Sequence, residues 1–187
     1  EPDLKLMYNQ LKQLFLGCSL KNIYKGLRKK KKKMWCIDEI NKIVAKSRAL
    51  EKKEGSVNKL WNQFLDEIDK INSIDKIDKL KKIYTNLIKD SQGEYKRGID
   101  IKIGIVGEIY MVIETFANLD IEKKLGKLGV TVGREIYITS WLNEFLKLGN
   151  HKKIAKKNAL PYLQNSIGGH GIFTVGDTVR YSKNNFD

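Results

Sequence analysis

The spacing of apolar residues changes once along this chain, near residue 97, from the three-to-four period of amphipathic helices to short β-branched runs. Before the change, Leu4, Met7, Leu11, Leu14 and Phe15 form one helical stripe, and Ile37, Ile40, Ile43 and Val44 form a second. Trp61, Phe64, Leu65, Ile68 and Ile71 make a third, with Ser56 after Gly55 as its expected cap. Ile77, Leu80, Ile83, Tyr84, Leu87 and Ile88 make a fourth, opened by Ser73 and stopped by Gly93. Each helix carries an apolar face and a lysine-rich face, so each must pack on something. Residues 1–96 are therefore expected to be a lysine-rich helical region, as a bundle or a helical hairpin.

After the change the pattern is α/β. Residues 99–106 are a nearly continuous apolar run ending at Gly107, the composition of a buried parallel strand. Residues 119–128 read as a helix, opened by Asn118 or Asp120 and closed by Gly129; residues 130–138 return to strand composition. Strand, helix and strand in this order form a βαβ unit. Ser140 is the expected cap of a helix carrying Trp141, Leu142, Phe145, Leu146 and Leu148. Another helix covers 151–163, and a last one starts near Thr174, where Thr174 and Asp177 approximate a capping box. Residues 97–187 are thus expected to be a Rossmann-like α/β domain with an incomplete parallel sheet on a βαβ core, since two parallel strands alone bury little. With Glu1 first and Asp187 falling after a helix, the chain is expected to be an internal piece of a longer protein. The remaining chain would complete the sheet, or a second copy would do so as a homodimer through the strand edges.

Charge narrows the partners. Lys and Arg number 36 against 22 Asp and Glu, a net +14, and the excess is spread over both halves. Only 28–33 forms a dense run, and it lacks the interleaved aromatics of a single-strand stacking surface. It is read as a solvated helix surface, with nucleic-acid binding kept as an alternative. No apolar run is long enough for a membrane span, and no secretory leader is read at the start. Cys18 and Cys36 belong to no C-x-x-C pair, so a reducing cytoplasm is the expected compartment.

Two loops could carry chemistry. The turn Gly107-Glu108-Ile109-Tyr110, followed by Glu114, Phe116 and Asn118, lies at the carboxyl end of the first expected strand, where open α/β sheets bind ligands. Neither a G-x-G-x-x-G fingerprint nor a Walker lysine is present. Glu108 is either a general base or an acceptor for backbone amides. The second loop is Gly168-Gly169-His170-Gly171, followed by Thr174-Val175-Gly176-Asp177. Gly168, Gly169 and Gly171 could aim several amides at one anion before a helix N-terminus, and His170 could add a proton near neutral pH. A tight turn between helices is the equally open alternative. His151, beside Lys152 and Lys153, is read as exposed. Two cysteines and two histidines without ligand spacing predict no metal site.

Taken in order, these segments resemble a known family. The stretch from Ile103-Gly104-Ile105-Val106-Gly107-Glu108-Ile109-Tyr110 through Glu114-Thr115-Phe116-Ala117-Asn118 and Ile121-Glu122-Lys123-Lys124-Leu125 is similar to the central motif of CoA-protein-activase-related proteins, which group with 2-hydroxyacyl-CoA dehydratase components. The likeness continues through Leu128-Gly129-Val130, Tyr137-Ile138-Thr139-Ser140-Trp141, Ala159-Leu160-Pro161-Tyr162-Leu163, Gly168-Gly169-His170-Gly171 and Thr174-Val175-Gly176. It is strong from about residue 100 onward and loose before that, where the lysine-rich stretch resembles a variable helical region. The resemblance implies α/β lobes that hold an iron–sulfur cluster through cysteines and accept an electron from an ATP-dependent activator. In the dehydratases that electron permits loss of water from a 2-hydroxyacyl-CoA, in anaerobic metabolism. The family's cysteine motifs flank the matched region, and neither Cys18 nor Cys36 falls on one. The chain is therefore expected to carry no cofactor by itself and to be inactive alone. It would act with the rest of a parent that is a dehydratase-type lyase or a redox component. Glu108, Tyr110, Asn118, Gly168, Gly169, His170 and Thr174 match the motif and are the candidates for lining its cleft. A non-redox module binding CoA or a nucleotide is the alternative.

Overall fold

Helix α1 (Leu20–Ser47) spans 28 residues and carries the second stripe well beyond the segment that announces it. In the computed structural model the described residues are 6, 9, 10, 13, 15, 19–94, 100–146, 148–163, 165, 167 and 170–186. Leu4, Met7, Leu11, Leu14, Cys18, Gly168 and Gly169 lie outside them. Ser19 caps α1, its hydroxyl accepting from the Asn22 N–H at 3.3 Å. A 3-10 turn (Arg48–Leu50) then leads to α2 (Ser56–Lys70) and α3 (Ile74–Asp90), which pack on α1.

Their shared core is one apolar cluster: Cys36, Ile40 and Val44 from α1, Val57, Phe64 and Ile68 from α2, and Ile77, Leu80, Tyr84 and Ile88 from α3. Phe64 stacks on Trp61 and meets Tyr84 edge-on. Two expectations shift in detail. Ile83 and Leu87 of the fourth stripe are exposed, because the face that meets α1 and α2 is narrower than the apolar stripe. Gly55, at φ +80°, is the N-cap of α2, and the Glu51 carboxylate accepts from the Val57 N–H at 3.3 Å, a role expected of Ser56. Ser73 does occupy the N-cap of α3.

The second half holds a two-stranded parallel sheet, so the fold is mixed α/β and mostly helical. Strand β1 (Ile101–Ile105) pairs with β2 (Val130–Arg134) in the register Ile101 to Val130 through Ile105 to Arg134. Two helices lie between them, α4 (Ile109–Ile113) and α5 (Ile121–Lys127). The first falls where the sequence pattern gives only a loop, and the Glu108 carboxylate caps it. After β2 come α6 (Ile138–Phe145), α7 (His151–Ala159) and α8 (Gly171–Lys183).

Both strands are shorter than their apolar runs, and α6 and α8 start before Ser140 and Thr174. The cause at α6 is tertiary. Asp38 of α1 accepts from the Thr139 N–H at 2.8 Å and from its hydroxyl, capping the helix from another element. Helices α7 and α8 cross closely at Gly176, where any Cβ would run into the Ala155 backbone. Helix α8 lays Tyr181 over the sheet, and a Cβ at Gly104 would stand 2.6 Å from its ring.

A polar seam joins the halves. Glu122 of α5 binds Arg48 at 3.3 Å and Arg134 of β2 at 2.9 Å, all three side chains being largely buried. Arg134 also donates to the Asn41 side chain at 3.3 Å, tying the end of β2 to α1. Among the described residues no helix is long and apolar enough to cross a membrane.

Candidate functional site

The turn after β1 is shaped by Gly107, at φ +148°, and by Glu108 as the N-cap of α4. One Glu108 oxygen accepts from the Tyr110 N–H at 2.7 Å; the other lies 3.4 Å from His170 Nδ1. Glu108 therefore accepts from a backbone amide, one of the two readings of that residue, and also lies beside a histidine. His170 is the N-cap of α8, so one sequence motif opens α4 and the other opens α8, and the two meet beside the end of β1.

A second histidine joins them. His151 Nε2 lies 2.9 and 3.0 Å from the two carboxylate oxygens of Asp177, which is buried. This hydrogen bond raises the pKa of His151, against the opposing effect of burial. The His151 N–H also donates to Glu144 at 2.6 Å. Phe173 lies between the histidines, with centroids 6.0 Å from His151 and 5.9 Å from His170. The two imidazoles, Phe173, Trp141, Ile109 and Glu144 line a cavity of about 60 Å³, with Ile136 and Ser140 completing the wall. Asp177 orients the His151 ring through Nε2, and Glu108 stands beside His170 at Nδ1, so each histidine has a carboxylate next to one ring nitrogen.

The remaining candidates scatter. Tyr110 is mostly exposed beside the cavity. Thr174 donates its hydroxyl to the His170 carbonyl at 3.0 Å, stabilising the first turn of α8. Gly171 is the first residue of α8, while Gly168 and Gly169 fall outside the described residues. Asn118 is not in this cavity. Its amide donates to the Val112 carbonyl at 3.2 Å, and it lines the cleft beside Arg134 and Glu122.

His151 was expected at the surface and is instead half-buried, because Asp177 draws it under α8. The signal that could have found it is Asp177 itself. That residue shares a helix face with Ile172, Gly176 and Tyr181, and an acid on a buried face needs a partner.

Cys36 sits in the helical core, where burial pushes its thiol up to about 11, and no group of three or more potential metal ligands assembles among the described residues. Glu144 is the carboxylate that lines the cavity itself, while Asp177 and Glu108 stand behind the two histidines as their partners. The chain matches no family model, no curated protein and no solved structure.

Proposed function

We propose that this chain is part of an iron–sulfur redox protein resembling the 2-hydroxyacyl-CoA dehydratase components and their activase-related proteins. In this reading the second half belongs to a Rossmann-like lobe, and cysteines elsewhere in a longer polypeptide hold the cluster. An ATP-dependent activator supplies the electron. The observation that supports it is the meeting of Glu108 and His170 at 3.4 Å: two segments of the motif series, far apart in sequence, close one site. The histidines of this chain manage protons. His170, oriented at Nδ1 by Glu108, offers Nε2, and His151 is held at Nε2 by Asp177.

The size of the cavity, about 60 Å³, and the Glu144 carboxylate on its wall weigh against the non-redox anion module, because a phosphate would be crowded there and set beside a like charge. The nucleic-acid reading loses part of its basic run to internal contacts made by Lys32 and Lys33.

The test is anaerobic reconstitution of the longer polypeptide beside this chain, followed by absorption and electron paramagnetic resonance spectra. A cluster in the longer polypeptide, kept in its His170→Asn variant, supports the reading and separates His170 from ligation. A longer polypeptide that takes up no cluster sinks it.

A further inference from the structure

The basic run at 28–33 is divided by the helical period. Lys33 turns inward and donates to the Asp69 carbonyl at 2.8 Å, and Lys32 binds Asp78 at 2.7 Å. Arg28 and Lys31 are exposed and pair with no carboxylate among the described residues. With Trp35 they form one wall of a groove of about 470 Å³, whose other walls include Ile74 at the start of α3 and Leu142 of α6.

The face continues beyond the groove. Tyr24 and Leu27 share it with Arg28, Lys31 and Trp35 at three-, four-, seven- and eleven-residue steps, and they are 68% and 55% exposed. From Tyr24 to Trp35 it runs about 16 Å, roughly three helical turns. The groove is largely apolar; the carboxylate on its wall, Asp78, is held by Lys32, and the charges that have no ion-pair partner among the described residues are cationic.

Charge and shape choose among occupants. A second copy docked symmetrically through this same face would set Arg28 and Lys31 against their own kind. A nucleobase stacks face-on and would have to displace Lys81 Nζ, 3.8 Å from the Trp35 centroid, and Lys32 Nζ, 4.9 Å from it, whereas an aliphatic side chain needs only the part of the ring that lines the groove. A flat lipid surface could meet the exposed Tyr24 and Leu27 but not follow the face into the groove, where Trp35 is walled by Ile74 and Leu142. We propose that this groove docks an acidic amphipathic helix of a partner protein, with apolar side chains against Trp35 and Leu142 and carboxylates on Arg28 and Lys31. The inference does not rest on the redox reading.

The probe is a stapled helical peptide of roughly four turns, with leucines on one face flanked by glutamates, titrated into the isotope-labelled chain. The Trp35 indole N–H signal should shift and saturate, while those of Trp61 and Trp141 stay in place. Arg28→Glu combined with Lys31→Glu should weaken binding at least about tenfold, as should the same peptide with lysine for glutamate. Both replaced side chains are exposed, so the variant should keep its melting temperature. The proposal is overturned if the acidic peptide leaves Trp35 unmoved, or if the double variant binds it equally well. A Trp35 shift produced by phosphatidylglycerol vesicles or oligo-dT, and not by the peptide, overturns it in favour of a lipid or nucleic-acid surface.

Discussion

In the helical region, Phe64, Ile40, Val44, Val57, Ile77 and Ile88 are wholly buried in one continuous cluster. In the α/β region every residue of β1 is only half-buried, and Phe116, Leu119 and Tyr162 stand 86%, 69% and 66% exposed. The first region completes a core from its own stripes. The second relies on particular pairings: Tyr181 over Gly104 and Gly133, Gly176 against Ala155, Glu122 between two arginines, and Asp177 beneath His151. Burial by area tolerates variation, because apolar contact is non-directional. A region held by ion pairs and close backbone crossings depends on each part.

Truncating the core should cost most. Phe64→Ala is expected to lose about 4 kcal/mol in chemical denaturation, and a loss under about 1 kcal/mol would mean that the three helices do not share a core. Glu122→Ala should cost about 3 kcal/mol by leaving two buried guanidiniums unpaired. Its effect should spread to both halves in hydrogen exchange, because the carboxylate touches both. Burial already lowers the pKa of Arg48, so the guanidinium depends on that partner. Gly104→Ala should cost about 2 kcal/mol, since the new methyl meets the Tyr181 ring. Protection lost in the helical core rather than in β1 would contradict the division drawn above.

A smaller effect follows pH. The pKa of His151 is raised in the folded chain by Asp177. Its contribution is therefore fully present below its ordinary value near 6.5 and fades as pH rises through the elevated folded value. Melting temperatures taken upward from roughly pH 6 should fall across that window, and Asp177→Asn should flatten the slope. The least change is expected at Ile83→Thr, within about 0.5 kcal/mol, because that side chain lies outside the core. A large loss there would show that the fourth stripe is buried against something else.

Much of the helical region was legible because helix burial obeys a local period. The stripes through Ile40, Phe64 and Leu80 name most of the core, and Ser73 names a cap. Ser140 and Thr174 have the composition of caps, yet α6 is capped by Asp38 from another helix and the N-cap of α8 is His170, four residues before Thr174. At the candidate site, Glu108 and His170 stood out through their glycine-rich settings, and their meeting is observed. His151 did not stand out, because its partner lies on another helix.

By itself the sequence determined where helices and strands could form and which faces were apolar, since backbone propensity and hydrophobic period act over a few residues. It also set the dense charge at 28–33. The tertiary structure alone decided which of those cations were consumed, which carboxylate capped which helix and which histidine gained an acid. Those outcomes depend on contacts between side chains distant in sequence, whose energies rest on burial and on distances of a few ångströms.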